Sequence, residues 1–376
     1  MPDYSRDARI VMTLDAGGTS FVFSAITGNR PVAPGFVLSS HADDLDRSLS
    51  MVVEGFRKVQ SQLPAPPAAI SFAFPGPAEY ASGIIVRPPN LPAWRDVPLG
   101  QMLEEKFGLP TFINNDGDLF TCGEAASGFL PYVNSLLEAA GSPKRFRNLL
   151  GVTLGTGFGA GIVRDGELFI GDNSAAGEIW LMRHKREPLR NVEEGSSIRA
   201  VRRKFAELTG RRPEETPDPR AIAAIADGAD FGRGAAPGDS AAAREAFRHM
   251  GEAAGDAIAQ AITLLDGLVV IGGGIAGAHR HFLPALIDEM NACFETPAGV
   301  RFPRMVSQAF NVEDAGALNE FLRGRTKELA VPWSSRKVWF DAAPRIGVGI
   351  TRLGTSEATA IGAYAFALDR LGGAPA

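Results

Sequence analysis

The chain has 376 residues, of which 45% are hydrophobic and 22% are charged, and its formal net charge is −5. This length favours two domains, and the composition is typical of a soluble globular protein without the positive charge needed to bind nucleic acid or an anionic membrane. No apolar run is long enough to span a bilayer and residues 1–10 lack a signal-peptide core, so we expect a cytoplasmic protein.

The first third of the chain alternates between strand and helix patterns. Apolar, β-rich runs at residues 9–15 and 21–27 predict two strands around the sequence DAGGT. A helix is predicted next, because apolar residues recur at steps of four and three at Leu45, Leu49, Val52, Phe56, Val59 and Leu63. Strands at 68–74 and 110–116 follow, and a helix begins after the second of them. This alternation predicts an α/β fold.

The second part of the chain repeats the start of the first. Residues 148–171 read as a strand, a Gly-rich turn and a strand, and Thr153 to Gly157 align with Thr13 to Gly17. Further on, Asp239 or Ser240 can cap a long helix with an apolar stripe. We therefore predict two domains that each open with a Gly-rich hairpin.

The predicted domains have definite limits. The N-terminal domain comprises residues 1–128 and 356–376, and the C-terminal domain comprises residues 129–355. The segments near 131–149 and 296–345 show weaker periodicity, so we interpret them as insertions in the second domain.

Three glycine-rich turns follow β-type runs in this pattern. They are Gly17-Gly18-Thr19, Thr156-Gly157 and Gly272-Gly273-Gly274. Each one alone can be an ordinary turn, but with no Cβ in the way its backbone N–H groups can also bind phosphate oxygens. None ends in the Lys-Ser/Thr of a P-loop, and none has the full dinucleotide-binding fingerprint. We interpret them as turns that together hold a nucleotide between two domains.

Two aspartates are the candidates for catalysis and metal binding. Asp116 lies where a strand ends and a helix begins, so it is either an N-cap or a side chain that points into a cleft. Phosphoryl transfer to an alcohol needs a base for the hydroxyl proton, and an aspartate suits that role. Asp15 lies between two apolar runs, where we expect it to be buried, and it suits a Mg²⁺ ion held through water beside the phosphates.

Several segments occur in the order found in one protein family. They are LDAGGT, FPGPAEYASGIIVRPPNLPAWRDVPL, NNDGDLFTCGEA, VTLGTGFGAGIVRDGELFIG, AAGEI, VEEGSSIRAV and VVIGGGIAGA. Through them the chain resembles the ROK family of sugar kinases and related repressors over residues 9–290, and again in EATAIGAYAFAL near the end. The resemblance implies a duplicated actin-like (ribonuclease H-like) kinase fold with the nucleotide in the cleft between the domains. It also implies ATP-dependent phosphorylation of a hexose or a related sugar.

The resemblance also assigns roles to individual residues. It implies that Asp116 is the base that deprotonates the sugar hydroxyl, and that Gly272 to Gly274 lie against the adenosine and its phosphates. The implied sugar-binding residues are Gly76 (through its backbone), Asn115, Asp116, Glu178 and Glu193. ATP and Mg²⁺ are the implied cofactors.

The chain departs from the family pattern after the first of the two sugar-binding glutamates. Trp180 and Leu181 stand where Gly and a zinc- and sugar-contacting His are expected, and no cysteine lies between Cys122 and Cys293. We therefore expect no zinc, and we expect both thiols to be buried and reduced. His184 is expected to be exposed in its basic run. The sugar is left open between a common hexose such as glucose and an N-acylated or otherwise altered one.

Two other functions remain as alternatives to a kinase. A sugar-sensing regulator of the same family would carry a helix-turn-helix domain, yet only about eight residues precede the first predicted strand, so we do not expect DNA binding. A sugar-binding protein that has lost catalysis is disfavoured, because both aspartates and all three turns are present. Family members commonly form dimers, so we expect a homodimer, to which Leu136, Leu137 and Phe146 could contribute.

Overall fold

The computed structural model of the chain describes residues 3–228 and 238–372. Contacts between residues divide the chain into two compact units. The first contains residues 3–131, 161–177 and 352–372, and the second contains the described residues of 132–160 and 178–351. The domain limits that the sequence predicts, at residues 128 and 355, remain a prediction. Within the described ranges, no helix is long and apolar enough to cross a membrane.

The two units are built from strands and helices in alternation. The strands are β1 (Val11–Ala16), β2 (Ser20–Thr27), β3 (Arg30–Pro31), β4 (Phe36–Ser39), β5 (Ala69–Ala73), β6 (Ala78–Glu79), β7 (Ile84–Ile85), β8 (Val97–Pro98), β9 (Thr111–Asn114), β10 (Leu149–Leu154), β11 (Phe158–Arg164), β12 (Glu167–Leu168), β13 (Leu268–Gly272), β14 (Cys293–Glu295), β15 (Arg301–Pro303), β16 (Gln308–Asn311), β17 (Thr326–Ala330), β18 (Lys337–Asp341) and β19 (Arg345–Ile350). The α-helices are α1 (Leu45–Gln60), α2 (Leu99–Phe107), α3 (Asp116–Ala126), α4 (Phe129–Ala139), α5 (Glu193–Ser196), α6 (Ile198–Thr209), α7 (Pro219–Ala226), α8 (Asp239–Leu265), α9 (His279–Met290), α10 (Ala315–Arg323) and α11 (Thr355–Arg370).

The first sheet has the strand order β3-β2-β1-β5-β9, with β4 also paired to β2. β1 and β2 form the predicted hairpin, in which Asp15 lies opposite Val22. β1, β5 and β9 run parallel, with Asp15 beside Ala73 and Ala73 beside Asn114. Because the carboxyl ends of parallel strands meet at one edge of a sheet, this register brings together the residues that follow these three strands.

The predicted amphipathic helix is confirmed as α1. Its N-cap is Asp44, whose side chain accepts a hydrogen bond from the N–H group of Arg47. Val52, Phe56 and Val59 are fully buried against the first sheet, so the helix covers the face of the sheet that its apolar stripe predicts. This burial gives the sheet that positions the candidate site its main hydrophobic support.

Helix α3 packs against α11 at unusually short range through two glycines. A Cβ added at Gly362 would lie 1.8 Å from the carbonyl oxygen of Leu119, and one added at Gly123 would lie 1.9 Å from that of Ala358. Only glycine permits backbones to approach so closely. Since α3 begins at Asp116, this contact fixes the helix that carries the candidate base.

The second sheet repeats the plan of the first. Its strand order is β12-β11-β10-β13-β19-β16, and β10, β13 and β19 run parallel as β1, β5 and β9 do. The turn from β10 to β11 corresponds to the turn from β1 to β2, as the internal repeat predicts. Helix α8 confirms the predicted long helix, although Gly238 occupies the cap position and Asp239 is its first helical residue.

Two further predictions need correction. Cys122 is buried, but Cys293 is exposed at the start of the two-stranded ribbon of β14 and β15. In the predicted insertion at 131–149, residues 131–139 belong to α4, and Leu137 in this helix is fully buried. Leu137 is therefore not available for an interface between copies. Leu136 and Phe146 are half-buried, and Phe146 stacks on Phe321 with 5.9 Å between the ring centroids.

We expect Gly362→Ala to lower the free energy of unfolding by about 1–3 kcal/mol or more, because the new methyl group forces α11 away from α3. Denaturant unfolding followed by circular dichroism measures the change. Gly277→Ala is the matched control, since a Cβ at this position meets nothing within 4 Å. Equal stabilities of the two variants would contradict the described contact.

Candidate functional site

The turn between β1 and β2 is shaped by close backbone contacts. The N–H group of Gly17 donates to the carbonyl of Ser20 at 2.9 Å. A Cβ at Gly18 would lie 2.9 Å from the carbonyl oxygen of Asn90, so this position has no room for a side chain. Ser40, which no sequence pattern singled out, donates its hydroxyl to the carbonyl of Gly18 at 2.6 Å. Thr19 is exposed at the tip, where its hydroxyl is accessible to a ligand.

The segment 88–94, which lies within the sequence FPGPAEYASGIIVRPPNLPAWRDVPL, is anchored by its own buried side chains. Leu91 and Trp94 are fully buried, and the indole N–H of Trp94 donates to the hydroxyl of Ser48 in α1 at 3.1 Å. These anchors fix the backbone that carries Asn90 against the first turn. The segment 88–94 thus sets the position of the turn at Gly18.

Asp116 and Asn115 divide two roles at the end of β9. Asn115 is the N-cap of α3, since its Oδ1 accepts from the N–H group of Asp118 at 2.6 Å. Asp116 is therefore free of the capping role that the sequence also allowed, and its side chain is exposed. Its Oδ1 accepts from the N–H group of Gly117 at 2.9 Å, and its Oδ2 has no hydrogen-bond partner among the described residues.

Asp15 and Asp116 lie close enough to influence each other. Asp15 is exposed rather than buried as the sequence suggested. The protein around it nevertheless withdraws it partly from water, and Asp116 adds a like charge. Both effects raise the pKa of the Asp15 carboxyl above its usual value, the partial burial more than the charge. Gly76 follows β5 in the chain, and a Cβ added there would lie 3.0 Å from the hydroxyl of Tyr80.

Glu193 holds the second glycine turn from behind. Its Oε2 accepts from the N–H group of Phe158 at 3.0 Å, and a Cβ at Gly157 would lie 2.8 Å from the same oxygen. Arg199 donates to Oε1 of Glu193 at 2.7 Å and to the carbonyl of Thr156 at 3.0 Å. The carboxylate and the guanidinium together fix residues 155–158. No pattern in the sequence indicated Arg199.

The third turn lies beside the second. β10 and β13 pair in parallel with Thr153 opposite Gly272, so the turns that follow the two strands are neighbours. Gly273 has a φ of +90°, and a Cβ at this position would lie 2.2 Å from the carbonyl oxygen of Leu154. Both the backbone angle and the close approach require glycine here. The structure therefore brings together the turns at 156–157 and 272–274.

Glu178 is held by a neighbouring side chain in the second unit. Its Oε2 accepts from the indole N–H of Trp180, and both side chains reach solvent. No hydrogen bond in the described part of the chain links Glu178 to Glu193. Trp180 therefore orients the exposed carboxylate.

His184 is buried, not exposed as predicted. Its Nδ1 accepts hydrogen bonds from the N–H groups of Arg186 and Glu187 at 3.2 and 3.0 Å. Burial is the main cause that lowers its pKa, and the positive charges of Arg203, Arg186 and Arg190 add to the effect. The neutral imidazole of His184 therefore accepts hydrogen bonds from the backbone and fixes the loop at residues 184–187. Across the described ranges, no group of three or more His, Cys, Asp or Glu residues is placed to hold a metal ion.

Comparison with known proteins gives one family and several named relatives. The sequence model of the ROK family matches residues 11–318. The solved structure of a glucokinase from Parabacteroides distasonis is 50% identical, with 97% of this chain and 99% of that chain covered and a TM-score of 0.88. Structures of ROK sugar kinases have the duplicated actin-like fold, so the predicted fold class is confirmed.

Two curated relatives match over shorter regions. An N-acetyl-D-glucosamine kinase from Vibrio cholerae is 30% identical over 169 residues, which are 45% of this chain and 51% of that protein. A putative xylose repressor from Caldicellulosiruptor sp. is 37% identical over 113 residues, 30% of this chain and 25% of that protein. The chain thus spans about half or less of the length of these two relatives.

Proposed function

Because this chain belongs to the ROK family, we propose that it is a kinase that transfers the γ-phosphoryl group of ATP to a hydroxyl of a hexose. The observation that carries the proposal is the pair of exposed carboxylates, Asp15 and Asp116, at one edge of a parallel sheet beside a glycine turn. The similarity to a glucokinase over nearly the whole chain supports the same reaction. Glucose is therefore the first candidate substrate, and N-acetylglucosamine is the second.

In the proposed reaction, Asp116 accepts the proton of the sugar hydroxyl through its unoccupied Oδ2. The hydroxyl oxygen forms the new bond to the γ-phosphorus, and the bond from that phosphorus to the bridging oxygen of ADP breaks. The N–H groups of Gly17 and Gly155 bond within their own turns, to the carbonyls of Ser20 and Gly157. The other N–H groups of the turns at 17–19 and 155–157 are proposed to bind the negative oxygens of the phosphates. Gly272 to Gly274 are proposed to lie against the adenosine.

Asp15 fits the proposed Mg²⁺ role. Its carboxylate is exposed and has no hydrogen-bond partner among the described residues, so both oxygens can bind waters of a hydrated ion. The pKa of this carboxyl is raised above its usual value. The positive charge of a bound ion would lower that pKa and so favour the ionised carboxylate. Mg²⁺ would supply neutralisation of the phosphate charge.

Two glutamates are proposed to bind the sugar, and one of them has a second task. Glu178 is oriented by Trp180 and touches no phosphate turn. Glu193 also fixes the turn at Thr156 through Phe158 and Arg199. Each carboxylate oxygen can accept two hydrogen bonds, so Glu193 can bind a sugar hydroxyl and keep these contacts. We therefore propose that Glu193 links the sugar site to the phosphate site.

A regulator that binds sugar without phosphorylating it is the second candidate, favoured by the similarity to a xylose repressor. The two candidates differ in whether the protein converts ATP to ADP when the sugar is present. A protein that binds a sugar in calorimetry but releases no ADP in its presence would support the second candidate against the first.

We expect sugar-dependent release of ADP by the unaltered protein, and about a 100-fold or greater fall in kcat for Asp116→Asn with little change in sugar affinity, because only the base is lost. A coupled ADP assay over a panel of hexoses and N-acetylhexosamines measures both. The assay is run with and without a zinc chelator, since Nδ1 of His184 already accepts backbone bonds and we expect no zinc requirement. Near-full kcat in Asp116→Asn would refute its role as base, and loss of activity with the chelator would show a zinc requirement.

We expect Glu178→Gln and Glu193→Gln to separate in their effects on the two substrates. Both raise KM for the sugar, but only Glu193→Gln also raises KM for ATP, by about tenfold, because it weakens a charged bond to Arg199 of roughly 1.5–3 kcal/mol. Steady-state kinetics with each substrate varied gives both constants. A Glu193→Gln enzyme with an unchanged KM for ATP would mean that the turn does not depend on this carboxylate.

A further inference from the structure

Strands β17 and β18 form a two-stranded ribbon with almost no cover. They pair antiparallel from Thr326 opposite Asp341 to Ala330 opposite Lys337, and every residue of both strands except Asp341 is exposed. The exposed residues include large apolar ones: Trp339 is 66% exposed and Phe340 is 50% exposed. Exposed apolar surface of this kind marks a contact surface.

The ribbon is attached to the second unit at its base only. Asp341 and Arg345 form a buried ion pair at 2.6 Å, and Oδ1 of Asp341 also accepts from the N–H group of Arg325 at 3.0 Å. In the described part of the chain, β17 and β18 form a sheet with no third strand. An isolated two-stranded ribbon is marginally stable in water, and its unpaired edges invite a further strand.

The open edge of β18 has a definite set of free backbone groups. The N–H group of Val331 donates to Arg336 at 2.9 Å, and that of Ala342 donates to Arg325 at 3.1 Å, which sets the alternation of the ladder. Residues at even numbers in β18 therefore bond to β17. By this alternation the N–H and C=O groups of Lys337, Trp339 and Asp341 point to the open edge.

The sequence of β18 is complementary to itself about Trp339. If two copies of β18 pair antiparallel at this centre, Val338 faces Phe340 of the other copy and Lys337 lies opposite Asp341. The charges of Lys337 and Asp341 are already paired within the protomer, with Glu328 and Arg345. The match that favours self-pairing is therefore the apolar one. Trp339 faces its own counterpart, and the three outward residues form the hydrogen-bonded pairs. β17 lacks this property, because pairing about its centre would place Glu328 against Glu328. Like charges directly opposite each other are unfavourable.

We propose that β18 pairs with β18 of a second copy of this chain, centred on Trp339, to form a four-stranded sheet across a twofold axis. A twofold contact uses the same surface on both copies, as this self-complementary strand does. On one face of this sheet the two tryptophans lie opposite each other, and on the other face each phenylalanine lies opposite Val338 of the other copy. The main-chain pairing removes the open edge. Leu137, which the sequence suggested for such an interface, is fully buried within the protomer.

Two oppositely charged variants test the pairing. Val338→Glu with Phe340→Glu places like charges opposite each other across the axis, and so does Val338→Lys with Phe340→Lys. Sedimentation velocity at micromolar concentration should show a dimer for the unaltered chain and a monomer for each double variant. An equimolar mixture of the two variants should restore a dimer, because position 338 of one then faces the opposite charge at position 340 of the other.

Two further variants separate loss of this pairing from misfolding and from a general effect of added surface charge. Trp339→Pro removes the indole and one outward N–H group, and an edge strand tolerates the loss of that N–H group. This variant should be folded by circular dichroism and monomeric by sedimentation velocity. Leu189→Glu is the matched control, because Leu189 is 103% exposed away from the ribbon, and it should remain dimeric. A monomeric unaltered chain, a dimer of either double variant alone, or a mixture that stays monomeric would overturn the proposal.

Discussion

The parallel pairing of β1, β5 and β9 is the constraint on which the candidate site depends. It places Asp15 and Asp116 at one edge of one sheet, although about a hundred residues separate them in the chain. The register alone does not hold them there, because α3 must also lie at a fixed distance from the sheet. The contact of Gly123 and Gly362 between α3 and α11 supplies that distance. Two carboxylates that repel each other are thus held close together by backbone geometry.

The second sheet uses the same plan with different supports. Where the first turn is fixed by the backbone of Asn90 and the hydroxyl of Ser40, the second is fixed by Glu193 and Arg199. A turn held by a side-chain carboxylate responds to whatever else that carboxylate binds. If Glu193 binds the sugar, as we propose, sugar binding and the conformation of the phosphate turn are coupled through one group. A kinase benefits from such coupling, because ATP is then used only when an acceptor is present.

The sequence predicted what depends on local chemistry. Glycines after strands marked all three turns, and the repeat of Thr13 to Gly17 at Thr153 to Gly157 revealed the duplicated fold. Burial was predicted less well, because it depends on neighbours distant in the chain. Asp15 proved exposed and His184 proved buried, since a basic run does not reveal that two backbone N–H groups meet the ring. Arg199 was missed for the same reason, because its partners are set by how α6 meets the turn.

Whether the two aspartates share one site is decided by the pKa of Asp15, measured by NMR titration of its carboxyl carbon in the unaltered protein and in Asp116→Asn. We predict a pKa above the usual value in the unaltered protein, because partial burial and a neighbouring negative charge both disfavour ionisation. In Asp116→Asn this pKa should fall but stay raised, since the larger contribution comes from burial. An ordinary pKa in the unaltered protein, or one that does not respond to loss of the Asp116 charge, would contradict a shared site.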